Sequence, residues 1–382
     1  MGSRQPAVIA ACGALCASAL ALGVPSALAN PRASAPHWRV VARTPSWMNV
    51  AIAPTATSAW AFGWGAHEPE GPIFPIGRHW NGHRWSRVQF PGGVKNSGMS
   101  CAGASAPDNV WAFSGAGAAG GNPPSTVSAL RLRGRRWVIV RNFPGSYVTG
   151  CDVLSPTNVW VFGGALAGLG PPIGTWHMHG STWTLINTGH LVLFHASVVS
   201  AHDIWAIGAN ELSLQPVMGR WNGHTWREIR SIDAALPRPT KTTRVGLDAA
   251  NAISGHDVWV LASVAGSSGI TRFVVVHWNG NKWSRVGPRS PGYYLPTAVS
   301  DGHGGWWSPP YLSRTAARYL LHRARRQWTR FPLPVQLSLF PGSSPGNGIV
   351  HVPSSNAMLL AGTQVMARGV SGVILAFGRL PA

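Results

Sequence analysis

Lysine and acid are both scarce in this chain. Three lysines occur, Lys95, Lys241 and Lys282, and 11 Asp and Glu residues stand against 31 Lys and Arg over 382 residues. The formal charge of +20 is therefore almost wholly arginine's. A field of that size favours anionic partners: wall polymer, acidic polysaccharide, lipid surface or nucleic acid. So few acids leave little material for carboxylate chemistry, since glycoside hydrolysis needs two at a set separation. Only Glu68, Glu70, Asp152, Glu211, Asp248 and Asp301 stand outside the repeat logic set out below. Tyrosine is short as well, with five copies, and a copper site of converging His and Tyr has one sequence cluster, Tyr293, Tyr294 and Tyr311 near His303. There is no Cys-x-x-Cys pair, nucleophile elbow or phosphate loop. These gaps point away from a cofactor, a metal site and an enzyme.

Long apolar runs are missing after residue 24, so no membrane span is expected. The one such run, Ala7 to Val24, follows Arg4 and precedes Ala27-Leu28-Ala29, the form of a cleaved export leader over residues 1–29. A short linker, 30–36, and one domain, 37–382, then make up a secreted or extracellular chain, possible wall association included. Export removes nucleic acid as a physiological partner. Of four cysteines, Cys12 and Cys16 leave with the leader. Cys101 and Cys151 remain in an oxidising compartment. Both occupy what reads as the same place in their repeats, in Met99-Ser100-Cys101 and Thr149-Gly150-Cys151, which makes them disulfide candidates, with two buried free thiols as the alternative.

Tryptophan is abundant, with 20 copies, and most recur in pairs. The first members are Trp60, Trp111, Trp160, Trp205, Trp259 and Trp306, spaced 45 to 54 residues apart. Each is followed 21 to 26 residues later by Trp85, Trp137, Trp183, Trp226, Trp283 or Trp328. A period near fifty residues marks stacked supersecondary units. The fourth unit reads as four strands: Phe194–Val199, Ile204–Gly208, Met218–Trp221 and Thr225–Ile229. The Asn222-Gly223 dipeptide suits a type I′ hairpin. Four antiparallel strands in fifty residues make one propeller blade. Asp or Asn before the second strand (Asn109, Asn158, Asp203, Asp257) reads as holding its turn through backbone amides. His and Arg before the third hairpin (His79, Arg131, His177, Arg220, His277) read as surface or interblade packing, since equivalent positions on separate blades cannot share one ion.

Six repeats leave three strands at the C-terminus and one, residues 37–42, at the N-terminus, where Trp38-Arg39-Val40-Val41 matches the fourth-strand pattern. Together they complete a seventh blade and remove an open sheet edge. The expected fold is an all-β seven-bladed propeller, monomeric. Its second strand ending in glycine, Val161-Phe162-Gly163-Gly164, and its fourth-strand Trp183 resemble kelch-type, galactose oxidase-like propellers. The pattern is also similar to exported actinobacterial propellers of unassigned role. Gly180-Ser181-Thr182-Trp183 resembles the sialidase Asp-box without its aspartate.

In that topology the turns joining strands 1→2 and 3→4 share one face and are tight. The 2→3 and 4→1 connections share the other and carry the long variable stretches 65–76, 115–127, 164–174, 230–245 and 330–347. Recognition on rigid scaffolds resides in such loops. The sequence thus predicts a non-catalytic binding propeller for an anionic envelope polymer, a glycan or a protein. Trp64, Trp176 and Trp307, with Trp47, fall outside the repeat and are the candidate loop-face aromatics. A basic rim of Arg131, Arg133, Arg135, Arg136, Arg323, Arg325 and Arg326 lies toward the tight turns. The resemblance implies the alternative, a secreted carbohydrate-active enzyme or an oxidase.

Overall fold

A computed structural model describes residues 36–66, 72–94, 97–115, 126–145, 148–163, 173–213, 215–310, 317–338, 348–367 and 369–380. Residues 1–35 and most of the long loops lie outside these. Seven four-stranded antiparallel sheets form a ring, the seven-bladed propeller that the repeat predicts. Blades 1 to 6 span residues 47–87, 98–144, 150–185, 191–228, 244–286 and 299–337. Blade 7 takes three strands from 349–377 and its fourth from Trp38–Thr44, which pairs with Gly369–Phe377. Among the described residues no helix is long and apolar enough to cross a membrane.

Second strands are apolar almost throughout because neighbouring blades cover both their faces. Asn109–Gly115 is buried at every position. The seams are sealed by the tryptophan pairs, second-strand ring of one blade against fourth-strand ring of the next. Trp60–Trp137, Trp111–Trp183, Trp160–Trp226 and Trp205–Trp283 meet edge to face at 5.4 to 6.4 Å. Trp307 meets Trp38 in the same way at 5.3 Å, which joins blade 6 to the N-terminal strand. Such pairs each add about 1 kcal/mol beyond the area they bury.

The seam between blades 5 and 6 is built differently. Residues 287–298 enter it, and Gly292 lies so close to Trp259 that a Cβ there would meet the ring at 2.2 Å. Tyr293 donates to the Phe273 carbonyl at 3.2 Å, and the Asn251 amide to the carbonyls of Leu295 and Ala298.

Three details of the repeat differ from the sequence reading. Cys101 and Cys151 are bonded, with Cα atoms 6.0 Å apart, but they are not equivalent. Cys101 sits two places before the residue opposite its blade's tryptophan, Cys151 one place before. Adjacent blades meet through opposite faces, so equivalent residues point the same way and cannot touch. Only an odd offset brings two first-strand side chains together.

The turn reading also changes. In blades 1, 4 and 5 the Asn-Gly pair opens a four-residue loop between cross-strand tryptophans, such as Trp221 and Trp226. There the Asn222 carbonyl accepts the amides of His224 and Thr225 at 3.0 and 2.9 Å, and only Gly223 has positive φ. Blade 6 alone turns on two positive-φ residues, Arg325 (φ 49°) and Arg326 (φ 69°).

In repeat six, finally, it is Trp307, not Trp306, that occupies the tryptophan position. Trp307 lies opposite His322 and is almost fully buried, whereas Trp306 faces Arg323.

Candidate functional site

Each of the first six blades holds a polar triad at the tight-turn end of its second and third strands. The second-strand tryptophan lies directly opposite a His or Arg of the third, so the two side chains share a face and stack. Trp60–His79, Trp160–His177, Trp259–His277 and Trp307–His322 stack at 3.8 to 4.4 Å. In blades 2 and 4 a guanidinium takes the place of the imidazole, Arg131 over Trp111 at 5.2 Å and Arg220 over Trp205 at 4.6 Å.

In all six blades the third member comes from the turn before the second strand; in blade 1 it is Ser58, whose hydroxyl lies 3.2 Å from His79 Nε2. Asp257 accepts from both Trp259 Nε1 (2.6 Å) and His277 Nε2 (2.9 Å). Asp203 pairs with Arg220 at 2.7 Å, Asn158 accepts from His177 at 3.0 Å, and Asn109 accepts from Trp111 at 2.9 Å. Asp301 accepts from His322 at 2.8 Å and from the amides of His303 and Gly305. Burial pushes its carboxyl up, but those hydrogen bonds and the neighbouring imidazole outweigh burial and hold it below its ordinary value. The turn residues of blades 2 to 5 therefore grip side chains instead of their own amides: a third-strand His or Arg in blades 3, 4 and 5, and the second-strand tryptophan in blades 2 and 5. The histidines are half-buried and stack on the tryptophan of their own blade, on the face that carries the seam. Burial lowers the pKa of His79, and burial with His179 nearby takes His177 down to about 4.

These triads spend acid internally. Asp203, Asp257 and Asp301 are occupied, and Glu228 lies between His190 (3.2 Å) and Arg230 (3.4 Å). Two more carboxyls sit on inner strands. Asp248 is the extra residue of a bulge in blade 5. Burial raises its pKa to about 6 against the lowering effect of the Ser263 hydroxyl, which donates at 3.1 Å, and of the Ser263 backbone. Asp152, opposite Trp160 in blade 3, is raised by burial alone to about 7. His195 is buried on the blade 4 inner strand and lowered to about 4 by burial, against the raising effect of the Thr149 backbone. Among the described residues no three His, Cys, Asp or Glu side chains gather as a metal site. The tyrosine cluster does not converge either: Tyr293 bonds a carbonyl, Tyr294 packs on Trp328, His303 contacts His351, and Tyr311 lies outside the described residues.

The loop-face aromatics are not a platform. Trp64 (7% exposed) stacks on Trp47 at 5.0 Å. Trp176 (9%) donates to the Ile173 carbonyl and lies under Arg141. Trp307 (1%) is the blade 6 core residue. All three are consumed by packing: Trp64 and Trp176 stand where their strands extend past the motif, and Trp307 holds the repeat position that spacing gave to the adjacent Trp306. The rim is narrower than the sequence suggests. Arg131 is stacked and Arg323 is half-buried in its sheet. Arg133, Arg135, Arg136, Arg325 and Arg326 are exposed at two tight turns. The triads could have been read from cross-strand register, since each second-strand Trp has a His or Arg of the third strand directly opposite it.

No family model matches this chain, and no curated protein does. Among solved structures it is similar to Trypanosoma rangeli sialidase in complex with sialic acid, with TM-score 0.41 and 11% identity, over 90% of this chain and 57% of that one. It is also similar to a crystallised protein from Lactobacillus plantarum, with TM-score 0.35 and 10% identity, over 72% of this chain and 97% of that one. The chain spans little more than half the length of the sialidase. Likeness at this level concerns fold and carries no chemistry.

Proposed function

We propose that this chain is an exported, non-catalytic binding or scaffold propeller of kelch-like kind. In this reading it engages an anionic or glycan component of the cell envelope, or a protein partner, through the face of its 2→3 and 4→1 connections. The carrying observation is the direction in which charge is spent. The molecule has 31 basic residues to 11 acidic ones, and Asp203, Asp257 and Asp301 are consumed inside the blades. The cationic surplus is left to solvent, where Arg43, Arg238, Lys241, Arg244 and Arg272 are exposed toward that face. The leader-like segment supports export, and a disulfide between Cys101 and Cys151 is compatible with an oxidising compartment.

The test is retention of the mature chain, residues 30–382, on teichoic acid, neutral glycans and whole cell wall across a salt series. Contacts of this kind weaken as salt shortens the Debye length to below about 10 Å. Retention on the polyanion that fades with salt is expected. Absence of retention on every surface at low salt would overturn the reading.

A further inference from the structure

We propose that the anionic component is a lipid surface, and that the hairpin tips of the loop-bearing face enter it. This rests on the reading above and narrows it. Leu212 is 86% exposed at the tip between the second and third strands of blade 4. Val365 and Met366, 62% and 46% exposed, stand at the corresponding tip of blade 7. Leu185, at the end of the blade 3 fourth strand, and Ile270, at the blade 5 tip, are exposed at the same end of their sheets. Five of the seven large apolar side chains exposed among the described residues thus belong to one face of the ring.

Antiparallel topology sets this: every 2→3 turn and every fourth-strand end falls on the same side. The opposite face turns on Asn, Gly, His, Lys and Arg, as in Asn81–Arg84, Asn279–Lys282 and Arg325-Arg326. Among the described residues these exposed apolar side chains are spread over four blades, 3, 4, 5 and 7, and are not gathered on one. A deformable planar acceptor receives all of them at once. A glycan would call for exposed indoles, and Trp64 and Trp176 are packed away.

The charges beside the tips fit anionic headgroups. Arg43 reaches the Gln364 side chain at 2.9 Å, next to Val365. Arg244 and Arg272 are exposed at the blade 5 end that carries Ile270. Glu211 beside Leu212 and Asp233 are the exposed acids on this side among the described residues. Apolar insertion with flanking arginine is the pairing that holds peripheral proteins at an interface.

The experiment is co-sedimentation of the mature chain with phosphatidylglycerol–phosphatidylcholine vesicles and with phosphatidylcholine alone. A variant carrying Leu212→Ser, Val365→Ser and Met366→Ser runs beside the unmodified chain. Because these side chains are exposed, the variant keeps its thermal midpoint. Selective binding to the anionic vesicles is expected, with a loss of roughly tenfold or more in the variant. Its retention on soluble teichoic acid stays unchanged. Equal vesicle binding by variant and parent would overturn the proposal, as would a parent that ignores the anionic vesicles. If the parent still binds teichoic acid, the lipid assignment alone fails; if it binds neither, the envelope reading fails with it.

Discussion

Asp152 couples the fold to pH through one carboxyl. Burial raises it from 3.8 to about 7, so the folded chain holds a proton that the unfolded chain has lost. Its contribution is fully present below pH 3.8 and disappears as pH rises through about 7. Asp248 acts in the same direction over a narrower window, up to about 6. His177 and His195 act oppositely: lowered to about 4, they cost stability as pH falls from 6.5 toward that value. Above neutrality Asp152 dominates. Replacing it by Asn should stabilise the chain by roughly 2–4 kcal/mol near pH 8 and leave it unchanged near pH 4, read from denaturant midpoints. An equal gap at both pH values would rule out the titration. Composition reveals the scarcity of such acids, but not which are desolvated, because that depends on the blade stacked against each one.

Among the elements, the blade 6 turn is the misfit. Arg325 and Arg326 adopt left-handed backbone, a conformation that costs an L-residue roughly 1–2 kcal/mol. Blades 2 and 3 place Gly134 and Gly180 in their own two-residue turns, where no side chain is strained. The double change Arg325→Asn and Arg326→Gly supplies the pair that a type I′ turn favours. It should raise stability by about 1–2 kcal/mol in a thermal or denaturant melt. A neutral or lower midpoint would show that the arginines earn their place through contacts.

Much at this scale was legible in advance. The four strands of a blade, the paired tryptophans and the N-terminal closing strand follow from apolar alternation and period. The shift at Trp307 was not, because the Trp306-Trp307 doublet offers two residues for one position; the offset of Cys101 lies in the spacing itself, ten residues before Trp111 against nine from Cys151 to Trp160, and comparing the flanking triplets hid it.

At the scale of the whole molecule, the ring divides labour between its faces. One carries short turns, three of whose acids, Asp203, Asp257 and Asp301, are tied to the His or Arg of a tryptophan stack. The other carries the variable connections, the apolar tips and a share of the unneutralised arginine. Sequence periodicity located this division correctly in topology, yet placed its recognition aromatics on side chains that the fold buries. The claim that the loop-bearing face does the binding can be read directly by hydrogen–deuterium exchange on residues 30–382, free and bound to teichoic acid. Slowed exchange is predicted at Asn210–Gln215, at 230–244 and at Gln364–Gly369. Slowing confined to Arg133–Arg136 and Arg325-Arg326, with those three segments untouched, would contradict it.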